Sequence, residues 1–441
     1  MPFQTMNQAV DWIINHEMET NRTGIQRIKY AMKLLNHPES HLPVIHLTGT
    51  NGKGSTTAFL RQLLKSQGYK VGSFTSPHIH KINERIQYDG NHIPDDSLLA
   101  YTNQIFQINE QLKNDGFGSL GFFEIMTIMA ALYFKDVQPD VCLIEVGIGG
   151  LNDNTNIFAG QIAVITTIGL DHVEKLGHRL EDIAYQKAGI IKENAQVITG
   201  NITDKETLSV IEQVASKNKA TLYRYHQAFH AFDSVITPNN QTQFVFKNQH
   251  LQFEATLNLL GRYQVDNASV AIEACLLWMQ RTHRALDMTA LQDALKETKW
   301  PARLEKIHTK PQVYIDGAHN VLGLEALKQA MRDYFQKYRI RLLYSGLSKK
   351  DQQAHLNLLT TFPVNEVILT EFEFEGEVLS VERAQQMLQE YGLTSSIVFT
   401  ESNDWEEYVH QFISNGDKDD LLIITGSLYF VSQVRQYIQN L

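Results

Sequence analysis

The sequence predicts an α/β protein with mostly parallel sheets, divided into two domains. Short apolar runs alternate with helical patterns along the chain, the signature of strands joined by crossover helices. At 441 residues the chain exceeds what one hydrophobic core usually organises. The strand and helix cycle also restarts after Trp300-Pro301. In order, Val44-Ile45-His46-Leu47 is an apolar run, followed by the turn Gly49-Thr50-Asn51-Gly52-Lys53-Gly54-Ser55 and a helical pattern over Thr56 to Lys65. Val71 to Phe74, Val141 to Val146, Ile162 to Ile168 and Gln196 to Ile198 read as further buried strands, and Phe123 to Phe134 and Tyr263 to Gln280 as helices. Between Tyr223 and Leu257 the alternation shortens, which predicts a small antiparallel addition. The second series has strands at Val313 to Ile315, Ile340 to Tyr344, Glu366 to Leu369 and Leu421 to Ile424. Proline disfavours helix at the residue before it, so the boundary falls near Lys299 and the domains are 1–299 and 300–441.

Composition narrows the class. Hydrophobic content of 43% and charged content of 20% are those of a globular chain, not a disordered one. A net charge of −10 argues against nucleic acid as the main partner. Cys142 and Cys275 each sit in an apolar run, as core residues of a protein in a reducing compartment do. No basic segment followed by an apolar stretch opens the chain, and no apolar run approaches the roughly 18 residues of a membrane span. The expected setting is therefore the cytoplasm, without membrane contact.

The turn at Gly49 to Ser55 carries the most chemistry. A strand, glycine-rich turn and helix in succession aim backbone N–H groups and a helix N-terminus at one point, where a phosphate chain meets amide donors, the helix dipole and the Lys53 ammonium. A nucleoside triphosphate is the natural ligand, although such a turn also serves as a plain connection. The spacing departs from G-x-x-x-x-G-K-[ST], which would need Gly at Leu47 and a hydroxyl at Gly54, so a magnesium-binding hydroxyl must come from elsewhere.

Four clusters fall where strands should end, the edge at which open α/β sheets bind ligands. They are Glu145-Val146-Gly147-Ile148-Gly149-Gly150, Ile168-Gly169-Leu170-Asp171-His172, Lys187-Ala188-Gly189-Ile190-Ile191-Lys192 on a predicted helix, and Ser73-Phe74-Thr75-Ser76-Pro77-His78. Each alone has a structural reading, as a strand-end carboxylate, a packed imidazole or a solvated lysine. Together, with Ser76 able to supply the missing hydroxyl, they point to a phosphate and metal site.

These segments, with Glu84-Arg85-Ile86, Asn267-Ala268, Trp300-Pro301-Ala302-Arg303-Leu304-Glu305, Asp316-Gly317-Ala318-His319-Asn320 and Thr425-Gly426-Ser427-Leu428-Tyr429, make the chain resemble, almost end to end, the folylpolyglutamate synthase and dihydrofolate synthase family of the Mur ligase superfamily. The resemblance implies an N-terminal P-loop-type ATPase domain of the Mur ligase kind, bearing folate-binding loops, and a C-terminal Rossmann-like glutamate ligase domain. It implies a reaction in which ATP phosphorylates a carboxylate of a folate or dihydropteroate and the amine of L-glutamate attacks the acyl phosphate. Lys53 and the amides of Thr50, Asn51 and Gly52, in the loop closed by Gly54 and Ser55, would hold the phosphates. Ser76 and Glu145 would hold one Mg²⁺, and His172 would serve a second beside Glu145. Lys187 matches the family's carbamylated lysine. Asn267, Arg303 and Asp316 match nucleotide contacts, and His319 matches a residue near the incoming amino acid. The family pattern further implies an active site between the domains, closure during catalysis and a monomer.

Departures gather on the acceptor side. Leu151-Asn152-Asp153-Asn154-Thr155-Asn156 stands where relatives commonly carry R-L-D-A-T-N, and Gly121-Phe122-Phe123-Glu124 where they commonly carry T-x-F-E. Both segments, with Thr23-Gly24-Ile25-Gln26-Arg27, correspond to the pterin pocket. Val321 replaces a frequent proline after Asn320. Losing a hydroxyl and a guanidinium weakens discrimination more than bulk affinity, so extension of a reduced folate is expected to exceed synthesis of dihydrofolate, unless Asn152, Asn154 or Arg27 replaces the lost contacts. A Mur-type ligase of cell-wall precursors and a non-catalytic nucleotide-binding regulator are the alternatives.

Overall fold

A computed structural model describes residues 2–15, 25–348, 351–374, 376–392 and 397–441. Thr23 and Gly24 of the expected acceptor loop lie outside these residues. The chain forms two compact units, one of Met1–Phe232, Val245–Ala255 and Asp266–Glu297, the other of Asp233–Phe244, Thr256–Val265 and Thr298–Leu441. No described helix is long and apolar enough to cross a membrane.

The first unit is built on an eight-stranded sheet: β1 (Val44–Thr48), β2 (Val71–Phe74), β3 (Ile86–Tyr88), β4 (Asn91–His92), β5 (Val141–Glu145), β6 (Ile162–Ile165), β7 (Gln196–Thr199) and β8 (Thr221–Arg224). Their order is β4-β3-β2-β5-β1-β6-β7-β8. From β2 to β8 the pairs are parallel, and β3 and β4 are antiparallel additions at one edge. Every residue of β1 and β5 is buried, as central parallel strands covered on both faces require. Registers bring the carboxyl ends level: Leu47 pairs with Glu145, Thr48 with Ile165 and Phe74 with Ile144. Against one face packs the almost wholly buried helix Phe122–Val137, in a core that includes Phe74, Ile125, Met129 and Phe158.

A three-stranded sheet in the order β11-β10-β9 comprises β9 (Phe229–Ile236), β10 (Thr242–Asn248) and β11 (Gln252–Leu257). The second unit holds a six-stranded sheet of β12 (Glu305–Thr309), β13 (Gln312–Ile315), β14 (Arg339–Tyr344), β15 (Glu366–Thr370), β16 (Val398–Ser402) and β17 (Asp420–Thr425), ordered β12-β13-β17-β14-β15-β16. All its pairs are parallel except β12 with β13.

Two elements differ from the sequence expectation. β6 ends at Ile165 rather than Ile168, because Thr166 and the residues after it bond to the glycine-rich turn instead of continuing the ladder. The predicted helix through Lys192 stops at Ala188: it spans Leu180–Ala188 and Gly189 caps it. A Cβ on Gly189 would lie 2.4 Å from Leu151 Cβ, so only glycine admits that close approach. Lys187 is thus on the helix and Lys192 beyond it.

Candidate active site

The glycine-rich turn joins β1 to the helix Lys53–Ser66. A hydroxyl-rich segment after β6 seats it. Thr50 N donates to Thr167 O at 2.9 Å and Asn51 N to Thr167 Oγ1 at 2.9 Å, while the Thr166 and Thr167 hydroxyls donate to Asn51 O at 2.6 and 3.0 Å. A Cβ on Gly49 would fall 1.9 Å from Thr166 Oγ1, so the approach is possible only without a side chain. The amides of Thr50 and Asn51, expected to face phosphate, are therefore directed to this seat. The first intrahelical bond of the following helix is Thr56 N to Gly52 O, at 2.8 Å, so the N–H groups of Lys53, Gly54 and Ser55 form its first turn. Lys53 Nζ donates to Gly49 O at 2.7 Å and Thr50 O at 3.3 Å, which holds its ammonium over the turn. Asn267, on the helix Tyr263–Thr282, touches the same turn; a Cβ on Gly52 would lie 2.5 Å from its Oδ1.

The predicted metal residues fall on separate elements of the first unit. Glu145, buried at the end of β5, pairs with Leu47, two residues before the turn, and Ser76 lies two residues past the end of the adjoining β2. His172 is an exposed residue with φ 50, a left-handed conformation that costs a non-glycine residue about 1–3 kcal/mol and tends to occur at functional sites. Its backbone N–H donates to Asp171 Oδ1 at 2.9 Å. Lys187 is buried, and burial, followed by the Lys53 charge, pushes its ammonium down to about 7, so much of it is the neutral, nucleophilic amine at neutral pH. Among the described residues no three His, Cys, Asp or Glu side chains form a group able to hold a metal ion.

On the acceptor side, most polar groups are engaged internally. Glu124 accepts from Arg27 Nε at 3.0 and 3.1 Å and from Nη2 at 2.7 Å, and from Gly121 N at 2.8 Å, with both charged side chains almost fully buried. Asp153 accepts from Ile148 N and Thr155 N, each at 2.9 Å, and from Thr155 Oγ1 at 2.5 Å, so its carboxylate shapes the Glu145–Gly150 loop. Thr155 Oγ1 in turn lies 3.0 Å from His46 Nε2; since its proton goes to Asp153, the imidazole is the donor. Phe122 and Phe123 are half-buried. Phe123 stacks on Phe74 at 5.7 Å, and a Cβ on Gly147 would be 2.8 Å from its ring. Arg85 lies 4.9 Å from the Phe122 ring and donates from Nε to His78 Nδ1 at 2.8 Å, so Phe122 and the loop bearing Ser76 share one cation. Asn152 is exposed and Asn154 half-buried.

In the second unit the carboxylate of Asp316 accepts from Leu304 N and Ala318 N, each at 2.9 Å. Arg303 lies across Gly317, where a Cβ would be 2.6 Å from Nη1. Ala302 (φ 56) and Leu304 (φ 41) flank it in the left-handed region, held there through Asp316 and through Glu305, which accepts from Ala302 N at 2.9 Å. His319 Nδ1 contacts Gly317 O at 2.9 Å, and Asn320 caps the helix Val321–Tyr334 through Gly323 N at 2.8 Å. Gly426 N donates to Ala318 O at 3.2 Å, tying the Thr425–Tyr429 segment to this loop. Sequence reading passed over Tyr263, whose hydroxyl is pushed up by burial and then by the charge of Asp316. It also missed Thr166, Thr167 and His46, since an isolated hydroxyl or histidine in an apolar run carries no motif.

A glycine-rich turn and a buried carboxylate lie at the C-terminal edge of a parallel sheet, and the family to which such a chain belongs is the Mur ligase class. The Mur ligase middle domain matches residues 47–275, and the Mur ligase glutamate ligase domain matches residues 302–428. Within that class, the chain belongs to the folylpolyglutamate synthase and dihydrofolate synthase family of ATP-dependent ligases. It is 35% identical to the dihydrofolate synthase/folylpolyglutamate synthase of Bacillus subtilis, over 99% of this chain and 100% of that one. Its fold is similar to that of Mycobacterium tuberculosis folylpolyglutamate synthase complexed with ADP (TM-score 0.87, 26% identity, 98% of each chain). It is also similar to a folylpolyglutamate synthase complex with AMPPCP and folate (TM-score 0.83, 29% identity, 98% of this chain and 99% of that one).

Proposed function

We propose that this ligase joins L-glutamate to a folate carboxylate and takes reduced folates in preference to dihydropteroate. One observation carries the preference: Glu124, Arg27 and Asp153 hold one another or the backbone, so the replacement contact considered for Arg27 is already committed to Glu124. What remains along this side is the rings of Phe122 and Phe123, with Asn152 and Asn154 at the turn. Apolar contact still takes up a folate, whereas an acceptor that depends on the missing polar contacts loses more, and dihydropteroate is the acceptor expected to depend on them.

A carboxylate is a poor acyl donor at neutral pH, and phosphorylation supplies a leaving group that the glutamate amine then displaces. Lys53 and the start of the helix Lys53–Ser66 hold the phosphate chain, Asn267 fixes it from the side, and the rigid seat at Thr166–Thr167 keeps the turn aligned as charge moves. Arg303 and Asp316 serve the nucleotide, His319 the amino acid, and the segments Gly121–Glu124 and Asn152–Asn154 the acceptor. Residues 1–299 carry the ATPase part and 300–441 the glutamate-binding part.

Hard Mg²⁺ takes few protein oxygens when phosphates supply the others, which fits a single buried carboxylate at a strand end beside a lysine whose neutral amine can take up carbon dioxide. Ser76 and Glu145 would hold one ion and His172 a second beside Glu145, with Lys187 as its carbamate supplying a further oxygen ligand; bound there, Mg²⁺ would neutralise phosphate charge. The working form is a monomer in the cytoplasm, a compartment in keeping with free thiols at Cys142 and Cys275.

Steady-state rates with tetrahydrofolate and with dihydropteroate, at matched ATP and glutamate, test the reading. A higher kcat/KM is expected for tetrahydrofolate. The reverse order overturns the preference, and turnover of neither favours a cell-wall acceptor.

A further inference from the structure

Lys192 stands five residues beyond Lys187, past the end of the helix, and the roles described above leave it unused. Its Nζ donates to Asn156 Oδ1 at 2.5 Å and to Asn156 O at 3.2 Å. Asn156 passes the contact on, donating from Nδ2 to Leu151 O at 2.9 Å. Leu151 N in turn donates to Gln186 O at 2.7 Å, next to Lys187. The turn 151–156 is therefore clasped at two points by the segment that carries Lys187: through the helix carbonyl of Gln186 at its start and through the Lys192 ammonium at its end. Close packing reinforces the clasp, because a Cβ on Gly150 would lie 2.7 Å from Gln186 O. A lysine whose only task was solubility would extend into water; this one is half-buried, and burial followed by the Lys29 charge lowers its affinity for the proton.

We propose that Lys192 is a positioning residue for the acceptor: by holding Asn156 it sets the Leu151–Asn154 segment at a fixed place relative to Lys187 and the phosphate turn. The inference rests on the reading that this segment borders the pterin-bearing substrate. Its physical basis is that acyl transfer tolerates little misplacement of the reacting carboxylate, so a loosened turn costs productive acceptor binding without touching the nucleotide.

The test compares Lys192→Met, Lys192→Arg, Asn156→Ala and the double variant Lys192→Met/Asn156→Ala, with KM and kcat measured separately for tetrahydrofolate and ATP and a melting curve for each protein. Lys192→Met is expected to raise the acceptor KM by about tenfold, the scale of one charge-assisted hydrogen bond, with the ATP KM changed by less than about twofold. Lys192→Arg restores most of the loss. Asn156→Ala reproduces it, and the double variant is no worse than the worse single one, because both remove one interaction. An unchanged acceptor KM in folded Lys192→Met, a parallel rise of both KM values with a fall in Tm, or additive losses in the double variant overturns the proposal. Should Lys192→Met not fold, Asn156→Ala decides alone, an unchanged acceptor KM counting against the proposal. A wild-type enzyme that turns over neither folate nor dihydropteroate refutes the functional reading; an active wild type with insensitive variants refutes only this one.

Discussion

Gly52 meets two demands at once. Its φ of 88 lies where L side chains are strained, and a Cβ there would be 2.5 Å from Asn267 Oδ1. Gly52→Ala should therefore raise the dissociation constant for a non-hydrolysable ATP analogue by at least about tenfold, with backbone strain of about 1 kcal/mol and displacement of Asn267 acting together. Titration calorimetry measures it. An unchanged dissociation constant for Gly52→Ala would show that neither the strain nor the collision matters here. Lys53→Ala removes a charge-assisted phosphate contact of about 1.5–3 kcal/mol. A fall in kcat/KM of at least about tenfold is expected with the fold intact by circular dichroism, and near-normal turnover at saturating ATP would count against the assigned role.

Among elements, the helix Gln26–Leu34 is fastened to the helix Phe122–Val137 by the buried pair of Arg27 and Glu124. Glu124→Gln strands a buried guanidinium and should cost about 3–5 kcal/mol in urea unfolding, whereas Arg27→Met with Glu124→Gln should recover much of that. A loss below about 1 kcal/mol for the single variant would mean that water reaches Arg27. This pair also marks the limit of what was legible in the sequence. β1, β2 and β5 stood out because central parallel strands are apolar throughout, and the rule that ligands gather at their carboxyl ends located the site. β12 and β16 did not, since edge strands that alternate between half-buried and exposed positions have no apolar run. Burial was equally hidden: Glu124 and Asp153 read as polar groups offered to a substrate, and only packing shows their oxygens taken by Arg27 and by backbone amides. The hydroxyls of Thr166 and Thr167, absorbed into an overlong β6, look like strand residues until the glycine-rich turn is placed against them.

Across the molecule, acid stability should follow two imidazoles, the buried His46 and the half-buried His78. Burial, followed by the Lys192 charge, pushes His46 down to about 3 from its ordinary 6.5, and burial with Arg85 pushes His78 down to about 4. The unfolded chain therefore takes up these protons first as pH falls. Stability is full above about 6.5 and is lost as pH drops towards 4 and below, at about 1.4 kcal/mol per pH unit for each proton. His46→Gln should flatten the slope of unfolding free energy between about pH 6 and pH 4 by close to one proton, and an unchanged slope would show that His46 is protonated in the native protein. The strand order has a consequence for synthesis as well. Bonds that seat the phosphate turn span 115 to 119 residues of sequence, because β1 lies between two strands that follow it in the chain. A nascent chain that stops before Thr166 carries the turn without its seat, and one that stops before Asn267 still lacks the side chain that abuts Gly52. ATP is therefore expected to stabilise only chains translated past that helix, and added nucleotide should leave the protease sensitivity of a fragment ending before Thr166 unchanged.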